Sequence, residues 1–260
     1  MRRIVIGTLG LVLVTGSFTS IAVATSATGA TDQKVGAVQV STASAASFLK
    51  TRFARGNTLP GDRDSSPKSI DHVYELQYRL RWEGVFKARA TGVYGPKTIR
   101  AVKRFQKRVK LRQSGKANHA TWAKLIKTTI RAKSSIPRRC KTSGWHACYD
   151  RKRHRVTLWR SGKLHNEWLV RGGGTRYKTR TGNFQVFRRS KHHVSSIYHA
   201  PMPYAQFFSG GQAVHASHYM VNPFRGHSHG CINMYIPDAK QFWNLTHTKR
   251  LRVHVYGRWS

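Results

Sequence analysis

The chain has 260 residues, 39% hydrophobic and 11% aromatic, enough for one or two domains with buried cores and too apolar for a disordered basic tail. Lysine and arginine number 47 against 9 aspartates and glutamates, a formal net charge of +38. An excess of that size points to a polyanionic partner and leaves few carboxylates for acid–base or metal chemistry.

In chain order, residues 1–24 read as a secretory signal. Arg2 and Arg3 precede an apolar run from Ile4 to Ile21, and Ala22-Val23-Ala24 has the small-x-small form of a cleavage site. The alternative is an uncleaved membrane anchor. Either reading exports the rest of the chain, which turns its charge away from nucleic acid. The polyanions to expect are wall polymers, peptide-stem carboxylates and headgroups. The charge is spread along the chain, which favours diffuse retention. Residues 25–66 are rich in Ala, Ser, Thr and Gly, end in "NTLPGDRDSSP", and read as a mobile linker.

Residues 67–130 predict three helices. The first carries Val73, Leu76 and Leu80 on one face, with Asp71 as its N-cap. The second starts near Pro96 and presents Ile99, Val102, Phe105 and Val109. The third has Asn118 as cap and Trp122, Leu125 and Ile126 as its apolar side. Residues 131–144 read as a second linker. From 145 to 260 the period changes to that of strands. "HRVTLWRSGKLHNEWLV" alternates around Ser161-Gly162, a hairpin signal. "GNFQVFRR", "SSIYHA" and "YAQFFSGGQAVHAS" continue as short strands, Asp238 to about Leu245 reads as a helix, and "RLRVHVYGRW" closes with a strand. The expected fold class is α+β multidomain: a small three-helix domain followed by a mainly-β, sandwich-like domain.

Three cysteines are present, Cys140, Cys148 and Cys231. An exported chain meets oxidising conditions, so an odd count leaves one thiol over. The short loop "CKTSGWHAC" favours a Cys140–Cys148 disulfide, worth roughly 2–3 kcal/mol; other pairings stay open. Cys231 is then the odd thiol, inside "GHSHGCIN".

That stretch admits three roles. His215, His218, His227, His229 and Cys231 are residue types that zinc accepts. A zinc hydrolase also needs a carboxylate, and beyond residue 140 only Asp150, Glu167 and Asp238 are on offer, none at a familiar metallopeptidase spacing. No metal and no other cofactor is expected. A structural cysteine would be buried as a small hydrophobe, whereas the Ser-His-Gly turn before Cys231 exposes rather than buries. The third role is a nucleophile, for which His229 or His215 could serve as base.

Two resemblances sharpen this. "LQYRL", "GVYGPKTIRAVKRFQ" and "SGKANHATWAKL" resemble the peptidoglycan-binding domain of bacterial wall enzymes over roughly residues 69–127. The resemblance implies contact with wall glycan. Tyr94 and Trp122 are the aromatic candidates, although packing is the plainer role for both. "VHAS" followed by "SHGCIN", with "YKTRTGNF" upstream, resembles the active-site signature of the L,D-transpeptidase (YkuD-type) catalytic domain over about residues 145–256. Arg180 stands where that family usually has proline, an exchange expected to loosen the turn. Ala216 replaces a frequent glycine, and the short gap before Ser228 suggests a trimmed loop and leaves substrate preference in doubt.

The family resemblance implies Cys231 as nucleophile and assigns His215, rather than His229, as general base. Backbone amides of His229, Gly230 and Cys231 would frame an oxyanion site, with Ser228 and Asn233 holding the turn. The implied activity is D-Ala release from peptidoglycan tetrapeptide stems through a thioester, followed by 3→3 cross-linking, or by hydrolysis if water enters. It also implies acylation by carbapenems. The expected partners are peptidoglycan stems and glycan together with anionic wall polymers, and the expected location is secreted and wall-associated. A non-catalytic wall-binding protein is the rival reading. If charge is the main tether, raising salt should elute the protein from isolated walls; retention at high salt would show another tether.

Overall fold

The structure, a computed structural model, describes residues 51–130 and 135–258, so the signal expected over 1–24 lies outside the described residues. Three helices form the N-terminal unit: α1 (Val73–Trp82), α2 (Pro96–Arg108) and α3 (His119–Thr128). Pro96 opens α2, where its missing N–H costs nothing, and Asn118 caps α3 by accepting the Thr121 N–H at 3.0 Å. Leu76, Leu80, Val102, Phe105, Trp122, Leu125 and Ile126 meet in one core. Tyr94 and Trp122 are 1% and 0% exposed, so both are packing residues and neither can touch glycan.

The second unit has two sheets. Strands β1 (Trp145–Asp150), β2 (Arg155–Arg160), β3 (Lys163–Leu169), β4 (Gly182–Gln185) and β9 (Leu251–Tyr256) make the first, in the order β3-β2-β1-β9-β4. Strands β5 (Arg188–Val194), β6 (Pro201–Ser209), β7 (Gln212–Ala216) and β8 (Ile232–Met234) make the second in chain order. The β2–β3 hairpin turns at Ser161 and Gly162, both at positive φ, the twist a two-residue hairpin requires. Helix α4 (Ile236–Thr246) follows β8. Side chains from both sheets and from Ala239, Phe242 and Leu245 of α4 share a single core.

Several expectations need correction. Residues 51–66 are built into the fold instead of linking it. Phe53, Ala54, Arg55 and Thr58 are buried, and the Phe53 amide donates to the His165 carbonyl at 3.2 Å. The local pattern conceals this, because the partners of Arg55, Thr58 and Asp64 lie elsewhere in the chain. The linker expected over 131–144 is likewise structured where it is described. Ile136 and Cys140 join the helical core, and a disulfide ties Cys140 to Cys148 on β1 with Cα atoms 6.2 Å apart. Asp71 does not cap α1. His72 takes the N-cap position at φ 59°, and the buried Asp64 carboxylate accepts the Asp71 and Tyr74 amides at 2.8 and 2.7 Å. "SSIYHA" is a turn between β5 and β6: Ser195 Oγ accepts the Tyr198 N–H at 3.2 Å, and local bonding wins over extension.

The two units meet through buried charge. Arg55 forks onto both Glu75 oxygens at 3.0 Å, and Arg79 reaches Glu75 at 2.8 Å and Glu167 at 3.1 Å. Arg155 bridges Glu167 at 3.1 Å to Asp150 at 3.5 Å. At the start of α4, Asp238 accepts from His72 at 2.9 Å and faces Arg55 at 3.6 Å. Burial alone would raise the Glu75 pKa, but Arg55 and Arg79 hold it down at about 2. Its ionised form therefore stabilises the fold fully above the ordinary glutamate range, and that stability is lost as pH falls towards 2. Glu75→Gln should leave two arginines under-compensated and cost about 3–5 kcal/mol in chemical denaturation at neutral pH, with a smaller deficit at pH 3. An unchanged midpoint would show that the network is not needed for stability.

Candidate active site

Cys231 lies immediately before β8, at the end of the turn Ser228-His229-Gly230. Gly230 has φ +107°, and a Cβ there would run into the Gln212 carboxamide, so this position requires glycine. Ser228 Oγ closes the turn by donating to the Cys231 carbonyl at 2.5 Å and accepting the Gly230 N–H at 3.1 Å. The Gly230 amide thus serves the turn, which narrows the three-amide oxyanion frame expected from sequence.

Cys231 is the free cysteine and is half-buried. Its Sγ accepts the Ala213 amide at 3.5 Å and its thiol points to the Gly211 carbonyl at 3.8 Å. Burial pushes the thiol pKa up, and the Ala213 N–H only partly opposes this. The thiol is therefore protonated at neutral pH and needs a base before it can attack.

The parallel pairing of β7 with β8 brings a histidine to the same face. His215 stands opposite Asn233, and pleat alternation puts Cys231, two residues earlier, on the face that His215 shares. The His215 ring is buried, with Nδ1 2.6 Å from the Ala216 carbonyl oxygen. A carbonyl only accepts, so Nδ1 carries the proton and Nε2 keeps the lone pair. Burial lowers the His215 pKa to about 4. The Ala216 carbonyl opposes that shift, while His193, His218 and Arg171 add to it. At neutral pH the ring is uncharged, the form that can take a thiol proton.

His229 is placed differently. Its exposed ring stacks on Tyr198 at 4.4 Å and meets Tyr177 edge-on at 4.7 Å, forming an aromatic rim. Asn233 exchanges backbone hydrogen bonds with Arg171 at 2.8 and 2.9 Å, and its Nδ2 donates to Ser217 Oγ at 3.3 Å. The zinc set weighed from sequence does not assemble among the described residues. The group with ligand spacing there is His72, Glu75 and Asp238, whose carboxylates are already engaged by Arg55 and Arg79.

Sequence reasoning missed four contributors. Gly172, Gly173 and Gly174 let the chain press against the cysteine turn; a Cβ on them would strike Tyr149, the Tyr177 and Gly230 backbones, and His227. The run of three glycines was the available signal. Arg171 is buried and donates to the Tyr219 carbonyl at 3.1 Å, the Arg225 carbonyl at 3.3 Å and Ser217 Oγ at 3.3 Å, pinning the connection between His215 and Cys231. Gln212 accepts the Arg180 amide at 2.9 Å and donates to the Lys178 carbonyl at 3.1 Å. Tyr198 reaches the rim from the β5–β6 turn, which the sequence presented as strand. Arg180 does not loosen its turn: its N–H, which proline lacks, bonds Gln212, and its guanidinium bonds the Ser209 carbonyl at 2.8 Å.

Both parts of the chain match known families. A family described as "L,D-transpeptidase catalytic domain" matches residues 144–255, and one described as "Putative peptidoglycan binding domain" matches residues 69–125. The chain thus carries a YkuD-type L,D-transpeptidase catalytic domain behind a peptidoglycan-binding domain. An L,D-transpeptidase from Stackebrandtia nassauensis shares the fold at 24% identity and a TM-score of 0.50, over 72% of this chain and 92% of that one. An L,D-transpeptidase from Xylanimonas cellulosilytica is similar at 25% identity and a TM-score of 0.44, over 78% and 98% of the two chains. No curated protein sequence matches the chain. Restoring the family's usual residue with Arg180→Pro should destabilise the chain by about 1–3 kcal/mol in denaturant titration, because the Gln212 carboxamide loses its donor. A gain in stability would show that the Arg180 contacts are dispensable.

Proposed function

We propose that this chain is a secreted, wall-associated L,D-transpeptidase that works through a thioester on Cys231. The observation that carries the reading is that a protonated free thiol, just before β8, shares a face with His215 on the adjacent parallel strand β7, a neutral ring whose Nδ1–H is held by a backbone carbonyl. His215 Nε2 takes the thiol proton as Sγ attacks the carbonyl carbon between the third stem residue and the terminal D-Ala. The bond to D-Ala breaks, the proton passes from His215 to the leaving amine, and a thioester remains. Amides at the cysteine turn stabilise the oxyanion; the Gly230 N–H takes part only by sharing itself with Ser228 Oγ. An amine of a second stem then attacks the thioester, forming a 3→3 cross-link and restoring the thiol. Entry of water at the same step gives L,D-carboxypeptidase activity.

The helical domain holds the enzyme on wall material, and charge adds retention by anionic polymers. A carbapenem should acylate the same sulfur and add its mass to the intact chain, an outcome that a purely wall-binding protein would not give. Carboxylates for metal hydrolysis are lacking around Cys231, since Asp150, Glu167 and Asp238 all lie in the buried network. Among the described residues, no helix is long and apolar enough to cross a membrane.

Cys231→Ala should abolish D-Ala release from purified tetrapeptide stems while leaving wall binding intact. His215→Ala should slow release by roughly 10²–10⁴-fold. Because the His215 pKa is lowered to about 4, the rate should stay level through neutral pH and fall only as His215 gains a proton near that value. Turnover by Cys231→Ala would end the reading, and an acid limb in the ordinary imidazole range would move the base role away from His215.

A further inference from the structure

A cavity of about 480 Å³ opens where α1 of the helical domain meets the catalytic domain. It lies outside the cysteine turn and is lined by Trp82, Thr129, Lys152, Arg153, His154, Arg155, Glu167 and Phe224. Its size is within the range of small-ligand sites. Trp82 comes from the end of α1, whereas Phe224 comes from the connection between His215 and Cys231. Their rings meet edge-on at 6.1 Å, and Phe224 also meets Tyr78 at 4.6 Å and His154 at 5.8 Å. Tyr78 Oη and the Asn222 side chain hydrogen-bond at 3.0–3.1 Å, fixing that connection to α1.

The chemistry of the lining is specific. Two half-buried aromatic rings line it; Phe224 is ringed by Tyr78, Trp82 and His154, and Trp82, with Arg79 6.0 Å from its ring centre, is the aromatic surface for a sugar ring to stack on. Lys152 is exposed at the rim, and Arg153 beside it pairs with Asp150 at 2.9 Å. Glu167 does not make the floor acidic, since Arg79 and Arg155 each bind it at 3.1 Å. Burial lowers the His154 pKa although Asp150 opposes this, so its ring is neutral and suited to a sugar hydroxyl. The aromatic residues of the helical domain that the sequence offered for glycan contact, Tyr94 and Trp122, are in the core, which leaves Trp82 on the cavity wall.

We propose that this seam cavity is a saccharide site, taking a stem-free, carboxylate-bearing pyranose of wall glycan, whose acid group is no longer held in an amide, with its ring against Trp82 and its carboxylate towards Lys152 and Arg153. The proposal rests on the reading of the chain as a wall-acting protein, but not on its chemistry at Cys231. A sugar seated there would contact the helical domain and the catalytic connection at once, through Trp82 and Phe224.

The test uses the full exported chain carrying Cys231→Ala, so that no turnover contributes, and ligand-observed saturation-transfer NMR. N-acetylmuramic acid is the probe, N-acetylglucosamine the neutral control, and a sugar-free stem tetrapeptide the third arm. The acid sugar should bind about tenfold more tightly than the neutral one, and Trp82→Ala and Lys152→Glu should each weaken it about tenfold. Lys152→Glu changes an exposed side chain, so it decides the matter if Trp82→Ala fails to fold. Equal binding of the two sugars, no saturable signal, undiminished binding in Lys152→Glu, or full displacement by the tetrapeptide would each overturn the proposal. D-Ala release by the unsubstituted chain is read separately, so loss of the catalytic reading and loss of this site are distinguishable.

Discussion

The structure depends on where nine carboxylates go in a chain with 47 lysines and arginines. Glu75, Asp150, Glu167 and Asp238 are all buried, and together with Arg55, Arg79, Arg155 and His72 they join the helical domain to the catalytic one. Such a network is costly to desolvate and costlier to break, because each removed partner strands a charge in the interior. It also sets position: Arg55 approaches a strand of the first sheet through the Glu167 carbonyl at 2.6 Å and the start of α4 through Asp238. Among the described residues no Asp or Glu is fully exposed, so the surface is left almost wholly cationic.

That network, together with the apolar core that the helices share with Cys148 and Trp159 of the first sheet, turns two domains into one framework for the cysteine turn. Helix α4 follows β8 directly, and β8 begins one residue after Cys231. Holding α4 by Asp238 therefore holds β8. From the other side, Tyr78 and Phe224 fasten the connection between His215 and Cys231 to α1. The helical domain is thus a buttress of the catalytic domain.

The parts legible in the sequence were those with a period or a punctuation mark. The apolar faces of α2 and α3, Pro96, the Asn118 cap, the Ser161-Gly162 hairpin and the alternation of the last strand all follow from local rules. The cysteine turn was legible because glycine and histidine at fixed spacing are uncommon together. What was not legible depends on partners distant in sequence. Asp64 caps α1 across a left-handed turn, residues 51–66 look like linker because the partners of Arg55, Thr58 and Asp64 lie elsewhere in the chain, and "SSIYHA" contains strand formers overruled by a serine bond. Arg180 is the clearest instance: set against a family pattern it looked like a defect, but Gln212 and Ser209 make it a tie.

The hydrogen bond from His215 Nδ1 to the Ala216 carbonyl carries one more consequence. Many histidine bases are oriented by a third side chain, which a single codon change can remove. Here the orienting group is peptide backbone on the histidine's own strand, and every amino acid supplies that carbonyl. No substitution of a neighbouring residue deletes the acceptor, so the tautomer of His215 is sheltered from point mutation so long as β7 keeps its path.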